Sequence, residues 1–451
     1  MQPLSRRRTH TSSSGLRYAG RVAGIVVGLA GATALHLARQ RGVGAWESLW
    51  AEDGSVFLTD ANRDFAGTFF AQNGGYVHLV PRILAGVAAL FPVEDAAIVM
   101  ALAGSTVVAL TSAFVYFASG AVLRSQSARL VLAATVLVSP VVGSELYANA
   151  LNLHFYLLFA CFWALFWQSE TWAALAFRST AALAATLSDP VSLLLLPLAV
   201  VGPVARRSLR AAAVSGFFLV GLATQLLLMR GGESPGRNWV FQLSDLPDIF
   251  SLRVAGGLLV GDRFLDDLWL DYGRAFSYAA LVVMAVLIGV LLTRSDRATA
   301  AFALLSLAYA GLFFCVQLFG RGTGGTDPEL GSFHLNGARY VLLPFLFVTT
   351  VVLALIDRLG DSPARGRWTW IRGAALVWLV AVVAANYLVG PNLRSSGPRW
   401  QRELEQARGS CGTSNTGVAR VLVAPAPPEV WFAEIPCGRL QSQRLEPMRE
   451  G

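Results

Sequence analysis

Two adjacent carboxylates, Glu52 and Asp53, are the residues best suited to chemistry in this chain. They follow the first long apolar run, inside the segment 46–54 (WESLWAEDG). Carboxylates beside a bilayer are costly unless they are solvated, paired or used. A positioned carboxylate can act as a general base that takes the proton of an attacking hydroxyl group. The alternative is structural: Asp53 could cap a surface helix, and Glu52 could pair with Arg41.

Three arginines could neutralise the negative charge of a phosphate leaving group. A guanidinium is permanently charged and binds phosphate in a forked geometry. Arg82 and Arg339 each lie at one end of an apolar run, and Arg237 lies in a polar stretch between two such runs. We therefore predict that these three residues bind a donor phosphate. The alternative for Arg82 and Arg339 is that they extend to lipid headgroups.

Other polar residues beside apolar runs are predicted to line a cavity next to these charges, because such groups usually face a cavity or another helix. This set comprises Tyr76, His78, Asn149, Asn152, His154 and Tyr340, with Glu145 and Tyr147 close by. Asp189 is either a turn residue at a helix break or a cavity residue. The histidines lack the spacing of a zinc site. The acidic residues between Asp262 and Asp271 fit a solvated helix face better than a metal site.

The composition places these residues in an integral membrane protein. Of the 451 residues, 55% are hydrophobic and 14% are charged, whereas soluble domains average about 25% charged. The net charge of +8 comes from arginines clustered between apolar runs. Such clusters are typical of cytoplasmic loops and do not indicate nucleic-acid binding. The chain contains no lysine, which excludes Schiff-base chemistry and a P-loop phosphate lysine.

Eleven membrane spans are predicted, since a span needs about 20 mostly apolar residues. Nine segments are clear, and the stretch 179–204, broken at Ser188-Asp189-Pro190, is read as two short helices or as one pair that enters and leaves the membrane. The clear segments are 18–38, 97–122, 128–144, 148–167, 210–229, 273–293, 298–319, 339–357 and 370–390. The arginine clusters agree with one orientation only if 39–96 stays outside. The run 77–91 is then a juxtamembrane helix at the outer surface.

Three regions result: a cytoplasmic disordered leader (1–17), a transmembrane domain (18–390) and a small extracytoplasmic tail (391–451). In the tail, Cys411 and Cys437 form an even pair, which predicts a disulfide in an oxidising compartment, with two free thiols as the alternative. The parity of the spans also places the carboxyl terminus outside. The prolines of the tail suggest short strands and turns.

In architecture and in short motifs the chain resembles the GT-C superfamily of polytopic glycosyltransferases. The likeness rests on an amino terminus in the cytoplasm and on an acidic pair in a long first outer loop that also carries surface helices. Four motifs carry it further: GYVHLVPR (75–82), NALNLH (149–154), Ser188-Asp189-Pro190 and Arg339-Tyr340. The resemblance covers roughly 18–390. Unlike the larger members, this chain is expected to have only a short tail and no large carboxyl-terminal carbohydrate-binding domain, which leaves the recognition of the acceptor open.

The resemblance implies an all-α polytopic fold in a bacterial plasma membrane. It also implies inverting transfer of a sugar from a polyprenyl-phosphate donor to an envelope glycan, lipid or protein at the outer face. The first-loop acid would be the base, Asp53 first and Glu52 as the alternate, with no cofactor or with loose assistance from a divalent cation. The rivals are a transporter or flippase of lipid-linked sugars and a polysaccharide ligase or polymerase. A transporter should keep ionisable residues near mid-membrane, whereas here they gather at the outer boundary.

Overall fold

The long apolar segments fold as helices that pack side by side, because a helix satisfies its backbone polar groups internally. The computed structural model describes residues 12–141, 143, 145–229, 241–321, 337–359, 365–390, 392, 394–411, 417–426 and 431–441. In chain order the helices are α1 (Ser12–Leu37), α2 (Thr59–Arg63), α3 (Leu79–Ala89), α4 (Ala96–Ala118), α5 (Gln126–Leu137), α6 (Leu153–Phe166), α7 (Trp172–Thr186), α8 (Leu196–Arg206), α9 (Leu209–Met229), α10 (Asp245–Ile249), α11 (Gly257–Leu259), α12 (Asp262–Tyr272), α13 (Arg274–Thr293), α14 (Arg297–Arg321), α15 (Ala338–Arg358), α16 (Arg365–Ala385), α17 (Trp400–Ser410) and α18 (Cys437–Gln441).

Within the described part of the chain, six helices are long and apolar enough to cross a membrane. These are α4, α9, α13, α14, α15 and α16. Each of the eleven predicted spans coincides with a helix, but the remaining five, α1, α5, α6, α7 and α8, do not meet that criterion over their described residues. An integral membrane protein follows from the six long helices. The number of spans stays a prediction.

Predicted boundaries are wrong by five residues or more for α1, α5, α6, α7 and α16, and two of the errors delimit one loop. Helix α1 begins at Ser12 rather than at 18, α5 ends at Leu137 rather than at 144, and α6 begins at Leu153 rather than at 148. The early end of α5 follows from Pro140, because a proline disfavours the helical conformation of the residue before it. The described residues between the two helices (138–141, 143 and 145–152) are therefore not helical, and they include most of the polar residues predicted for the third and fourth spans.

Helix α15 lies at the centre of the bundle and is buried along its whole length between Arg339 and Arg358. It packs against α14, α5, α6 and α13. The ring of Phe347 lies 5.3 Å from that of Phe159 and 4.9 Å from that of Phe162. This aromatic packing fixes α15 against α6, and both helices begin at the same end of the bundle. That end, where α1 also finishes, is called the polar end below.

The segment between α1 and α4 folds as a layer of short elements over the polar end. It contains a π-helical turn (Asp53–Leu58), an antiparallel hairpin of β1 (Gln72–Asn73) and β2 (Tyr76–Val77), and the helix α3. Helix α3 has 11 residues, about 16 Å, which is too short to cross a hydrocarbon core of about 30 Å. Its predicted role as a surface helix agrees with this length.

The carboxyl-terminal tail packs on this layer. Strands β3 (Val418–Val423) and β4 (Trp431–Pro436) form an antiparallel hairpin, and a disulfide joins Cys411 to Cys437 with the Cα atoms 5.7 Å apart. The buried indole of Trp400 donates a hydrogen bond to the carbonyl of Val93 at 2.8 Å. The tail is therefore joined to the layer that carries the acidic pair.

Candidate functional site

The acidic pair lies on a strained turn held by the tail. Ala51, just before Glu52, has a φ of 29°, which is unfavourable for a residue with a Cβ. Its amide donates to the carbonyl of Ala424, and the amide of Ala424 donates to the carbonyl of Leu49 at 3.0 Å. The π-helical turn then begins at Asp53. Positive φ at alanine and π-helical turns both occur preferentially at functional sites.

The carboxylate of Asp53 is buried, with 2% of the residue exposed. Its two oxygens accept hydrogen bonds from the backbone amides of Ala150 at 2.7 Å and Leu151 at 2.8 Å. Each carboxylate oxygen has two lone-pair positions, so one on each oxygen stays available.

The pKa of Asp53 is raised to about 7. Burial is the main cause, and the negative charge of Glu52 adds to it, while the two amide hydrogen bonds and the Arg394 guanidinium oppose it. A carboxyl group with a pKa near neutrality can both accept and return a proton.

The loop between α5 and α6 is held by its own asparagines. The amide of Asn152 donates to the side-chain oxygen of Asn149 at 3.0 Å, and the side-chain nitrogen of Asn152 donates to the carbonyl of Glu145 at 2.6 Å. Both asparagines are buried. These contacts fix the amides of Ala150 and Leu151 against Asp53, and the place of the two asparagines beside a cavity stays a prediction.

Arg339 lies at the amino-terminal end of α15, where a helix favours negative charge. Its Nη1 is 3.6 Å from Oε1 of Glu145, and its side chain is 29% exposed. The guanidinium lies 5.0 Å from the ring centroid of Tyr340, and the half-buried Glu52 also acts on it electrostatically. Oε2 of Glu145 accepts the amide of Gly337 at 2.9 Å. A partly exposed cation thus lies beside the Glu145 carboxylate, and the charge of Glu52, which precedes Asp53 in the chain, also acts on it.

Arg82 has different surroundings and is fully buried. Its Nη1 donates to the carboxylate of Asp60 and to the hydroxyl of Thr68, each at 3.0 Å. The guanidinium also lies 5.3 Å from the ring centroid of Phe57. These contacts join α3 to α2 and to the π-helical turn. They do not fit a side chain that extends to lipid headgroups, and they do not support phosphate binding.

The predicted histidines lie together in a second polar group. The His78 ring is 4.2 Å from that of Tyr76 and 6.1 Å from that of His154. Nε2 of His154 is 3.6 Å from Oδ2 of Asp189, whose Oδ1 accepts the amide of Val191 at 2.8 Å. Asp189 therefore both caps the turn after the helix break and faces a histidine.

Phe155 links this group to the amino-terminal end of α15. Its ring lies 4.1 Å from that of His154 and 6.3 Å from that of Tyr340. Of the predicted site residues, Arg237 lies outside the described part of the chain. The others lie in these neighbouring groups.

The part of the chain that the structure describes offers no ligand group for the divalent cation that the resemblance allows. Among the described residues, no group of three or more His, Cys, Asp or Glu side chains is arranged to hold a metal ion. Both oxygens of Asp53 accept backbone amides, and one oxygen of Glu145 does the same. One lone-pair position on each of these oxygens is thus used by a backbone amide, and no step is assigned to a metal.

Sequence reasoning missed Arg394, which is buried beside the acidic turn. Its guanidinium donates to the hydroxyl of Ser48 at 3.1 Å and to the carbonyl of Tyr147 at 2.7 Å. One signal was present in the sequence. Under the predicted topology, Arg394 follows the last span on the outer side, where the positive-inside rule does not favour an arginine.

Comparisons with known proteins give similarity in structure but none in sequence. No family model matches the sequence, and no curated protein matches it. Among solved structures, the chain is similar to the Archaeoglobus fulgidus oligosaccharyltransferase in complex with zinc and sulfate, with a TM-score of 0.39 and 11% identity. The match covers 85% of this chain and 55% of the archaeal chain. At this identity and TM-score, the similarity assigns neither family nor function.

Proposed function

We propose that the protein is an integral membrane glycosyltransferase of the GT-C type. It would move a sugar from a polyprenyl-phosphate donor to an envelope glycan, lipid or protein at the outer face of a bacterial plasma membrane. The observation that carries the proposal is the arrangement of Asp53, Glu52 and Arg339 at one end of a bundle of apolar helices. It offers a proton acceptor and a partly exposed cation beside the helix ends, where the phosphate of a lipid-linked donor would lie.

Asp53 is the base in this proposal. The acceptor hydroxyl attacks the anomeric carbon, its proton passes to the Asp53 carboxylate, and the bond between the anomeric carbon and the phosphate oxygen breaks. The lipid phosphate leaves with that electron pair, and the configuration at the carbon inverts. The pKa of about 7 supports this role, because a base works best when its pKa is near the operating pH.

Arg339 holds the donor phosphate and offsets the charge that develops on it. A guanidinium binds phosphate through two parallel N–H donors. Glu145, which is fixed by the amide of Gly337, keeps the guanidinium oriented before the donor binds. Glu52 supports Asp53 by holding Arg339 from the other side or by orienting the acceptor.

The remaining predicted residues take other roles or stay predictions. Arg82 has a structural role in this proposal because it is fully buried and its Nη1 donates to both Asp60 and Thr68. Phosphate binding by Arg237 stays a prediction. We propose that Tyr76 and His78, with His154 beside them, form the wall against which the donor sugar packs.

The test is transfer by the purified protein in proteoliposomes. Polyprenyl-phosphate sugars labelled in the sugar are supplied with envelope extracts as acceptors, and nucleotide sugars serve as the control donor. We expect label to move from the lipid to an acceptor only with the lipid-linked donor. Movement of the intact donor across the bilayer, without cleavage, would assign the protein to the transporters. Transfer of a preassembled glycan chain would assign it to the ligases or polymerases.

A further inference from the structure

The structure assigns Arg394 as a positioning residue that joins the carboxyl-terminal tail to the turn carrying Glu52 and Asp53. It holds the segment before Asp53 and the loop before Ala150 in one arrangement. This inference rests on the proposed function for its catalytic consequence. Its structural consequence is independent of that function.

All three guanidinium nitrogens of Arg394 are engaged. Nε donates to the hydroxyl of Ser48 at 3.1 Å. Nη1 donates to the carbonyls of Tyr147 at 2.7 Å and Ala148 at 3.1 Å. Nη2 donates to the carbonyls of Ala45 at 3.1 Å and Ser48 at 3.0 Å. One buried side chain therefore joins two segments that are far apart in sequence.

The same two segments are joined a second time by Asp53. Ser48 precedes Asp53 by five positions, and Ala148 precedes Ala150 by two. Ala51, which lies between Ser48 and Asp53, has a φ of 29°. Ala148, two positions before Ala150, has a φ of 42°. Such conformations are unfavourable for a residue with a Cβ and persist only where the surrounding structure imposes them. The hydrogen bonds of Arg394 to Ser48 and Ala148 help to hold these two alanines in their conformations.

Arg394 is itself held by a tight turn in the tail. The side-chain oxygen of Asn392 accepts the amides of Arg394 at 2.9 Å and Ser395 at 3.0 Å. The carbonyl of Ser395 accepts the amide of Val43 at 2.8 Å. The guanidinium thus starts from a backbone that is already fixed to the first loop.

Lysine cannot replace these contacts. Arginine presents five N–H donors in a rigid fork, whereas lysine presents three donors at one point. The charges that act on Asp53 are those of Arg394, which lowers its pKa, and Glu52, which raises it. Removal of the Arg394 charge should therefore raise the pKa of Asp53, and Arg394→Lys should keep the charge but lose the fork.

The experiment compares Arg394→Lys and Arg394→Gln with Arg399→Gln. Arg399 is a matched control because it lies five positions further along, is 58% exposed and pairs with Glu47 at 2.7 Å. We expect kcat/KM for transfer to fall about 100-fold in both Arg394 variants, as a small misplacement of a catalytic group can cause. In Arg394→Gln alone, the acid limb of the pH profile should move up by about one pH unit. Arg399→Gln should change neither quantity.

A second readout does not depend on activity. The infrared carboxyl band that is lost in Asp53→Asn reports the titration of Asp53, and its midpoint should be higher in Arg394→Gln than in the wild type. If the wild type transfers no sugar but this midpoint moves, the proposed function fails and the structural assignment stands. Ser48→Ala, which removes only the hydroxyl acceptor, should lower activity if the Arg394 variants do not fold. If Arg394→Gln folds, wild-type activity together with a wild-type titration midpoint of Asp53 would overturn the assignment. If the Arg394 variants do not fold, wild-type activity of Ser48→Ala would overturn it.

Discussion

The carboxylate of Asp53 accepts the backbone amide of Ala150 at 2.7 Å, although 97 positions separate the two residues in the chain. With the neighbouring bond from Leu151, this contact joins the turn after α1 to the loop before α6. A carboxylate that caps a surface helix would bond to amides of its own helix instead. Asp53 therefore belongs to a junction between segments at the polar end of the bundle.

Transfer should depend on one ionisation near neutral pH. Only the deprotonated Asp53 can accept the hydroxyl proton, so kcat/KM should fall about tenfold per pH unit below the pKa of about 7. Because this pKa is higher than in the unfolded chain, the contribution of Asp53 to folding stability is present at low pH. That contribution is lost as the pH rises through about 7. The measurement is the rate of transfer between pH 5 and 9. A rate that does not change between pH 5 and 7 would contradict the assignment.

Replacement of Arg339 should weaken donor binding without unfolding the protein. Arg339→Gln removes the cation that we assign to the phosphate and should raise KM for the donor about tenfold or more, since a charged hydrogen bond contributes about 1.5–3 kcal/mol. Arg339→Lys should restore part of the loss, because it keeps the charge but not the fork. Arg63→Gln, in an exposed pair with Glu434, is the control. An unchanged donor KM in Arg339→Gln would remove this residue from the donor site.

Arg82 should behave in the opposite way. Arg82→Met breaks the buried contacts with Asp60 and Thr68 and should lower the free energy of unfolding by about 2 kcal/mol. Addition of Asp60→Asn should recover part of that loss, because the unpaired carboxylate is removed. Thermal melts of detergent-solubilised variants measure both effects. Full stability of Arg82→Met combined with a raised donor KM would return Arg82 to the phosphate site.

Gly54 should tolerate a side chain only if the tail makes room. A Cβ at position 54 would lie 2.8 Å from Cγ1 of Val423, closer than packed carbons allow. Gly54→Ala should therefore push β3 away from the π-helical turn and lower both thermal stability and transfer. Gly54→Ala with Val423→Ala should recover much of each loss. Equal behaviour of the single and double variants would show that the tail does not constrain the turn.

The helices were predictable because long apolar segments between arginine clusters have few alternatives in a membrane protein. The loop between α5 and α6 was not, because Ser139 and Pro140 lie inside an apolar run and the loop itself is buried. Hydropathy reports burial and does not distinguish a buried loop from a buried helix. The polar residues 145–154 were recognised as a group, but their contacts with one another were not.

Within the candidate site, the sequence indicated which residue types could act but not how they pair. The bond from Arg394 to Ser48 joins positions 346 apart, and no local pattern predicts such a contact. Arg82 and Arg339 have equivalent places at the ends of apolar runs in the sequence. In the structure, Arg82 donates to Asp60 and Thr68, whereas the side chain of Arg339 stays partly exposed. Only the folded arrangement separates the two arginines.

The most direct test of the account compares Asp53→Asn with Glu52→Gln in the same transfer assay, with thermal melts to confirm that each variant folds. If Asp53 is the base, Asp53→Asn should lower kcat by about 1,000-fold, within the range that general-base catalysis contributes. Glu52→Gln should retain measurable transfer, with a loss of about tenfold, as expected when one charged contact is removed. Wild-type transfer by folded Asp53→Asn, or an inactive Glu52→Gln beside an active Asp53→Asn, would contradict the central claim.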